Sequence, residues 1–222
     1  MSSNIIIKTL TPNLVPKVIE SISKSFSVST DPFTKTLKLN EQDWQKMAGV
    51  FVERASHKDL SLVAIDKNSN EVIGCILNED WKEKEPQSYY DIDQKWNPVK
   101  SIFHELHHRY KDAHPKKINF GEVLHSLYFT CVVPSARGKG VIKDLWNVSY
   151  DHARSQNFQY QVCETSSKPA ENLCDHLGFQ PISTVSYNNY RYKGDSIYSG
   201  LTVDPNFQKL TIWEKKIPSN LY

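Results

Sequence analysis

The residues with the clearest chemical potential form a short basic turn between a predicted strand and a predicted helix. The run from Leu124 to Val133 is rich in β-branched and aromatic residues and stops at Pro134. An apolar pattern of helical period follows Arg137-Gly-Lys-Gly140. Such a turn presents unpaired backbone N–H groups and the positive end of a helix dipole, and its glycines let an anion approach closely. It therefore predicts a site for a phosphate or pyrophosphate group.

Two common phosphate loops do not fit this turn. A Walker loop requires Ser or Thr after its lysine, and Lys139 is followed by Gly140. A dinucleotide-binding Rossmann turn ends its Gly-x-Gly-x-x-Gly run with glycine, and Lys143 stands there. The remaining interpretations are a third type of anion loop or a plain basic turn.

The third type is found in the GNAT superfamily of N-acetyltransferases, as Arg/Gln-x-x-Gly-x-Gly/Ala. The run from Arg137 to Ile142 resembles this signature and follows the Val-x-Pro pattern that ends at Pro134. It departs at Ile142, where the family has Gly or Ala.

A second block, Thr165–Phe179, resembles the family pattern Asn-x-x-Ala-x-x-Leu-Tyr-x-x-x-Gly-Phe. Its Ala, Leu, Gly and Phe stand in register, whereas Ser167 replaces Asn and Cys174 replaces Tyr. In the family that tyrosine commonly protonates the departing thiolate. Cys174 either takes over this role or is a small buried apolar residue, and a thiol of pKa ~8.5 leaves readily without help.

The resemblance implies that acetyl-CoA binds along the strand–turn–helix unit, with no metal. The backbone of Thr130, Cys131 and Val132 would pair with the pantetheine arm as an added strand. The pyrophosphate would lie on Arg137, Gly138, Lys139, Gly140, Val141, Ile142 and Lys143. Ser166 and Ser167 would bind the pantetheine amides, or else cap the helix that begins near Pro169.

A finer resemblance is to the arylalkylamine N-acetyltransferase-like branch, especially the insect type. It rests on Phe26-x4-Asp31-Pro32 and on Leu124-His-Ser-Leu127 before Val-x-Pro. An acidic residue before proline is the catalytic base there, which implies that role for Asp31. The alternative for Asp31 is a helix cap or turn residue beside Pro32.

Side chains alternate along the central strand, which predicts two faces. Ser126, Tyr128 and Thr130 form the more polar face, which we expect to line the active site. Tyr128 either orders water, stacks on an aromatic amine or packs in the sheet. Leu127, Phe129 and Cys131 form the core face, and His125 falls on that side.

Other titratable residues give weaker signals. His104, His107 and His108 have helical spacing, but no neighbouring Glu or Cys completes a zinc site, so a solvated helix face is expected. Glu122 and Glu164 flank the predicted central strands and are less favoured alternatives to Asp31 as base.

The elements that position these residues follow from periodicity and capping signals. Helices are expected from Pro12 to Phe26, after Asn40, over Val99–Tyr110, after the basic turn, and over Pro169–Leu177. The expected strands are Ile5–Leu10, Leu60–Asp66, Glu71–Leu77, the central strand, Phe158–Glu164, Phe179–Ser186 and Phe207–Ile217. We expect irregular structure over Ser27–Leu39, a surface excursion over Glu79–Asn97 and a loop over Asp112–Asn119. This order predicts an α/β fold, a mixed sheet flanked by helices that matches the GNAT fold.

Composition limits the other classes of function. The 222 residues carry a formal net charge of +2, which suggests neither nucleic acid nor a membrane surface as partner. Four scattered cysteines suggest free thiols in a reducing compartment, so we expect a cytoplasmic, monomeric or weakly dimeric single domain over residues 1–222.

The expected activity is transfer of acetyl from acetyl-CoA to a small primary amine by direct attack in a ternary complex, with an arylalkylamine as first guess. The alternatives are a polyamine, a protein or peptide amine, or a catalytically weak acyl-CoA-binding regulatory domain. Specificity is expected to lie in Ser27–Leu39, Glu79–Asn119 and Tyr187–Asn206.

Overall fold

A computed structural model describes residues 4–29, 31–114 and 119–218. The strands are β1 (Ile5–Thr9), β2 (Leu62–Asp66), β3 (Val72–Ile76), β4 (Asn78–Asp80), β5 (Val123–Ser126), β6 (Cys131–Val132), β7 (Tyr160–Thr165), β8 (Gln180–Ser186) and β9 (Lys209–Lys216). The helices are α1 (Val15–Ser27), α2 (Pro32–Leu37), α3 (Glu41–Ala55), α4 (Gln87–Tyr90), α5 (Asn97–Ala113), α6 (Val141–Ser155) and α7 (Lys168–His176). No helix in the described ranges is both long and apolar enough to span a membrane.

The strands form two sheets, and the chain crosses from one sheet to the other at two places. One sheet has the order β1-β2-β3-β6 and the other the order β4-β5-β7-β9-β8. The chain passes from the first to the second through Leu77, between β3 and β4, and returns through the segment between β5 and β6. The Leu127 amide donates to the Leu77 carbonyl at 2.8 Å, which ties the two crossing points together. The result is one splayed mixed sheet.

Helices cover both faces of this sheet. Residues on one face of β2 and β3, such as Val63 and Cys75, pack in a core with the apolar stripes of α1, α3 and α5. Their neighbours Leu62 and Ile76 pack on the other face with α6 and α7. Strands buried on both faces explain the near-continuous apolar runs in this part of the sequence. The expected mixed sheet flanked by helices is confirmed.

The splay opens beside the central strand. The only parallel pairing among the described strands joins β5 to β7, from Val123 opposite Tyr160 to Ser126 opposite Cys163. Beyond this point β6 pairs with β3 alone, while the end of β7 pairs with β9. A slot therefore separates β6 from the carboxyl end of β7, the type of position where α/β sheets bind ligands.

Two segments differ from the sequence expectation. The break expected over Ser27–Leu39 contains α2, because Asp31 caps a helix whose first residue is Pro32. The surface excursion expected over Glu79–Asn97 is wrong in part: Glu79, Trp81 and Trp96 are buried, since Glu79 belongs to β4 and both indoles fill core positions. The loop expected over Asp112–Asn119 begins after Ala113, and its residues 115–118 lie outside the described ranges.

Candidate active site

The slot between β6 and β7 is a cavity of about 320 Å³. Eight of the residues predicted to act on or bind a ligand line it, from six elements or loops, whereas Cys131, Val132, Gly138, Lys139, Gly140, Val141 and Lys143 are not among its lining residues. Those that line it are Asp31, Ser126, Tyr128, Thr130, Arg137, Ile142, Ser166 and Ser167. Cys174, which stands where the resembling family has tyrosine, also lines the slot.

The free edge of β6 lies next to the slot, between the lining residues Thr130 and Arg137 in the chain. The Val133 amide donates to the Ile73 carbonyl at 2.9 Å, and Val132 lies opposite Gly74 in the same antiparallel pair. Because hydrogen bonding alternates along such a pair, the N–H and C=O groups of Val132 face away from β3. No described strand covers that edge. An extended amide-bearing ligand can pair there as an added strand.

The basic turn leads directly from this edge to α6. Gly138 and Gly140 have φ of 75° and 80°, the left-handed region that glycine enters most easily, and Gly140 occupies the N-cap position of α6. A Cβ built at either glycine meets nothing within 4 Å, so open space lies above the turn. The Arg137 Nε donates to the Val132 carbonyl at 3.3 Å, which joins the turn to the strand edge. Lys139 and Lys143 are exposed beside it.

The two serines after β7 differ in their contacts. Ser167 occupies the N-cap position of α7, but its hydroxyl makes no capping hydrogen bond. The Ser166 hydroxyl lies 2.6 Å from the Tyr128 hydroxyl. The capping alternative is therefore wrong for Ser167, and its hydroxyl faces no competing demand from the helix end.

Asp31 and Tyr128 form the most direct contact between predicted catalytic residues. The Tyr128 hydroxyl donates to Asp31 Oδ2, while Asp31 Oδ1 accepts from the Thr34 amide at 2.8 Å. Asp31 is thus a helix cap and a slot residue at once. Burial raises the pKa of its carboxyl above the ordinary value, although the bonds from Tyr128 and Thr34 oppose the shift. Burial, and then the Asp31 charge, raise the pKa of Tyr128 well above its usual range.

Ser126 and Thr130 are placed differently from Tyr128. The Ser126 hydroxyl donates to Asn78 Oδ1 at 2.7 Å and accepts from Gln161 Nε2 at 2.8 Å. It belongs to a buried polar network that continues to Ser149 on α6. The Thr130 hydroxyl donates to the Leu127 carbonyl at 3.2 Å. All three residues of the predicted polar face, Ser126, Tyr128 and Thr130, line the slot, whereas Phe129 lines only a neighbouring, larger cavity.

A second, larger cavity of about 1220 Å³ lies on the other side of the central strand. Its walls are strongly aromatic and include Trp44, Phe51, Trp81, Tyr89, Trp96, Phe103 and Phe129. Leu127, Tyr128 and Glu164 line both cavities, so the two meet at these residues. A ligand in the larger cavity and one in the slot would approach each other here.

A buried charge network forms the floor of the larger cavity. Glu164 Oε1 lies 2.6 Å from His125 Nε2 and 2.7 Å from His107 Nε2. His125 Nδ1 lies 3.5 Å from Glu79, whose other oxygen is paired with Arg54. His125, expected on the core side, is buried, but this side of the strand is also a cavity wall.

The pKa of His125 is raised in this network, whereas those of Glu164 and His107 are lowered. Burial opposes ionisation of Glu164, but His125 and the hydrogen bonds from both imidazoles outweigh it and lower the pKa of Glu164 to about 2. Burial also opposes a charge on His125, yet Glu164 and then Glu79 raise the pKa of His125 to about 10. Burial lowers the pKa of His107, despite the opposing effect of Glu164. The floor therefore holds a fixed carboxylate, an imidazolium and a neutral imidazole.

The sequence does not reveal this network, because the partners of His107 are not its neighbours in the chain: Glu164 comes from β7 and His125 from β5. One side-chain nitrogen or oxygen from each of His107, His125 and Glu164 lies within 4.8 Å of the other two, a spacing that metal ligands also have. The two hydrogen bonds account for this convergence without an ion, because one carboxylate oxygen accepts from both rings.

Cys174 is surrounded by apolar side chains. It is 3% exposed, its sulfur lies 3.6 Å from that of Cys163, and it packs with Trp146 and Phe179. This favours the interpretation as a small apolar residue.

The fold can be compared with solved structures, whereas no protein-family model matches the sequence. The C-terminal condensation domain of Ebony, in complex with beta-alanyl-dopamine, is similar with a TM-score of 0.83 at 19% identity, over 96% of this chain and 99% of that one. Arylalkylamine N-acetyltransferase 2 from Aedes aegypti gives 0.75 at 21% identity, over 97% and 100%. A Drosophila melanogaster polyamine N-acetyltransferase, which forms N-acetylagmatine, gives 0.70 at 15% identity, over 96% and 100%.

At identities this low, the structural likeness shows the fold alone. The fold is shared along nearly the whole of each chain. The chain has the GNAT N-acetyltransferase fold.

Proposed function

We propose that this protein is an N-acyltransferase that moves the acetyl group of acetyl-CoA to a small primary amine. The observation that carries the proposal is the meeting of two cavities at Leu127, Tyr128 and Glu164, one a slot along a free strand edge and the other a larger aromatic chamber. Two substrates held in these cavities react directly, in a ternary complex. Holding them together removes much of the entropic barrier to a bimolecular reaction.

The slot and the basic turn match the chemistry of coenzyme A. The free edge of Val132 offers an N–H donor and a C=O acceptor to the amides of a pantetheine arm. The N-terminus of α6, with Gly138 and Gly140 in open space and Arg137 beside them, suits a pyrophosphate. Ser166 and Ser167 supply hydroxyls on the opposite wall.

The larger cavity favours an aromatic amine over a polycation. Aromatic side chains bind both an aryl ring and an ammonium group, the latter through the ring faces. The lysines along this cavity, Lys82, Lys84, Lys100, Lys111 and Lys193, are exposed or half-buried and lie beside Glu79, Glu83, Glu85 and Glu164, so the lining is not the predominantly acidic surface that suits a polycation. Structural neighbours named for arylalkylamines, or holding a dopamine conjugate, agree with this choice, whereas the polyamine N-acetyltransferase agrees with the polyamine alternative.

Asp31 and Tyr128 would manage the protons. An alkylamine is mostly protonated at neutral pH and must lose a proton before it attacks. Asp31, whose pKa is raised by burial, accepts that proton through the Tyr128 hydroxyl, which donates to it. The amine nitrogen bonds to the thioester carbon, the carbon–sulfur bond breaks, and the same pair returns the first proton to the departing thiolate. The second proton, which the nitrogen loses on becoming an amide, is released to water. Tyr128 thereby takes the role of the tyrosine that Cys174 replaces.

Ser126 has a supporting part in this scheme. Its hydroxyl is already bonded to Asn78 and Gln161. It holds the end of β5 in place beneath Tyr128 and exchanges no proton with a substrate.

We further propose that residues 1–222 form one catalytic domain that works in the cytoplasm as a monomer or weak dimer. The acyl donor and the amine are its partners, and the reaction needs no metal.

A thiol-release assay with acetyl-CoA and a panel of amines tests the proposal. The panel contains phenethylamine, tryptamine, spermidine and a lysine peptide. Release with the aryl-alkyl amines supports the proposed substrate class. Release with spermidine or the peptide alone moves the activity to a polyamine or protein acceptor. Binding of acetyl-CoA by calorimetry without release for any amine indicates a regulatory acyl-CoA-binding domain.

A further inference from the structure

Glu164 Oε2 is an orphaned oxygen in the interior. Its carboxylate is 1% exposed, and Oε1 accepts both imidazole hydrogen bonds, whereas Oε2 has no hydrogen-bond partner in the described ranges. An unsatisfied buried carboxylate oxygen costs free energy, so it marks a place where a donor is missing. Glu164 also lines both cavities at their junction.

The surroundings fix this carboxylate as an anion. His125 is held between Glu164 and Glu79, and Glu79 is in turn held by Arg54. The Trp81 ring packs on His125 and His107, with centroids 4.4 Å and 4.9 Å away, and limits the access of water. A rigid carboxylate in such a site attracts a cation more strongly than one at the surface.

We propose that Glu164 is the ammonium-binding residue of the acceptor site, with its Oε2 accepting an N–H from a primary ammonium group that enters through the larger cavity. This rests on the proposed function, in which that cavity holds the amine. Both the position and the charge of Glu164 suit this role. The carboxylate lies at the junction where an acceptor nitrogen would meet a thioester in the slot. The other carboxylates that line this cavity are each paired with a cation, Glu79 and Glu85 with Arg54 and Glu83 with Lys58.

The two carboxylates of the site then have different roles. Glu164 stays ionised, because its pKa is lowered by two imidazoles, and it holds the cation. Asp31, whose pKa is raised by burial, takes the proton. Environments that move the pKa values of two carboxyl groups in opposite directions are a recurring way to give one group a binding role and the other a proton-transfer role.

A binding titration without any acyl donor tests this role. Phenethylamine and phenethyl alcohol have nearly the same shape and differ in charge at neutral pH. Their binding is followed by calorimetry and by quenching of the indoles in the cavity, Trp44, Trp81 and Trp96. The wild type should bind the amine about ten-fold to a hundred-fold more tightly than the alcohol, the size of a charge-assisted hydrogen bond.

Glu164→Gln should remove this preference and leave binding of the alcohol unchanged. The matched control is Glu83→Gln, which removes a carboxylate that lines the same cavity but is paired with Lys58 at 2.8 Å, and it should keep the preference. If Glu164→Gln fails to fold, Glu164→Asp is the second variant. It keeps a carboxylate beside the two histidines, but its side chain is one methylene shorter, so it should weaken binding of the amine and not of the alcohol.

Three outcomes overturn the proposal. They are an undiminished preference for the amine in a folded Glu164 variant, an equal loss in Glu83→Gln, and no preference in the wild type. Thiol release with amines, measured separately, shows whether the transferase function stands when this assignment of Glu164 falls.

Discussion

The Tyr128 hydroxyl donates a hydrogen bond to the Asp31 carboxylate. This bond joins the turn after β5 to the N-cap residue of α2. Asp31 uses its other oxygen to cap α2 through the Thr34 amide. A residue expected to be either a base or a helix cap is therefore positioned as both. The cap fixes the carboxylate, and the fixed carboxylate orients the tyrosine.

Asp31→Asn separates these two roles. Asparagine caps a helix about as well as aspartate, so thermal stability should change little. The variant cannot accept a proton, so kcat should fall by about 10²–10⁴-fold, while binding of acetyl-CoA stays unchanged. Thiol release and calorimetry measure these quantities.

Asp31→Ala is the comparison for that experiment. It should lose activity and also about 1 kcal/mol of unfolding free energy, because the cap is gone. Full activity in Asp31→Asn would show that the carboxylate acts only through the helix.

Tyr128→Phe removes a hydroxyl and keeps a ring that packs on Phe26, Phe33 and Phe103. We expect kcat to fall by at least about 10²-fold, because the path between the amine, Asp31 and the thiolate is broken. The KM for acetyl-CoA should stay near its wild-type value. A rise in KM for the amine with kcat unchanged would instead indicate that Tyr128 only shapes the cavity.

Gly140→Ala tests the anion site. The residue has φ of 80° with open space above it, so the methyl group clashes with nothing in the protein but strains the backbone by about 1–2 kcal/mol. The strain, and a methyl group over the turn, should weaken binding of coenzyme A. Binding of pantetheine, which lacks the pyrophosphate, should be unaffected. Equal weakening of both ligands would place the pyrophosphate elsewhere.

His125 gives the protein a defined pH dependence of stability. The pKa of His125 rises from 6.5 to about 10 on folding, so its contribution is complete below pH 6.5 and is lost as the pH rises through 10. Glu164 has a lowered pKa, so its contribution is present above pH 4.5 and is lost as the pH falls toward 2.

His125→Gln should therefore lower the unfolding free energy by about 3–5 kcal/mol at pH 6, as expected when one partner of a buried ion pair is removed. The difference from wild type should shrink as the pH approaches 10. Urea unfolding across this range measures it. A constant difference at every pH would mean that His125 is neutral in the folded protein.

Local signals in the sequence are sufficient for the frame of the site. The basic turn, its two glycines and the capping residue Asn40 act within a few positions of themselves, and each lies where periodicity and capping place it. Asp31-Pro32 predicts a break in the helical pattern, although the same pair is a helix start. Both interpretations follow from one dipeptide; in the structure it starts a helix whose second residue, Phe33, is buried in the core.

The floor of the larger cavity could not be derived in this way. His107, His125 and Glu164 come from α5, β5 and β7, and Glu164 lies 57 positions from His107 and 39 from His125. Alternation along the central strand does place Ser126, Tyr128 and Thr130 at the slot, although the chain turns after β5 and the Thr130 amide donates to the Leu127 carbonyl at 3.2 Å. Alternation does not reveal that the Ser126 hydroxyl is already bonded to Asn78 and Gln161, which are distant in the chain.

The most direct test of the account is acetyl transfer to phenethylamine, followed as thiol release together with the mass of the amine product. The account predicts one N-acetylated amine for each thiol released, with initial rates that depend on both substrates in the intersecting pattern of a ternary complex. It also predicts strong loss of this rate in Tyr128→Phe. Thiol release without an acetylated amine, or no release with any amine despite bound acetyl-CoA, would contradict it.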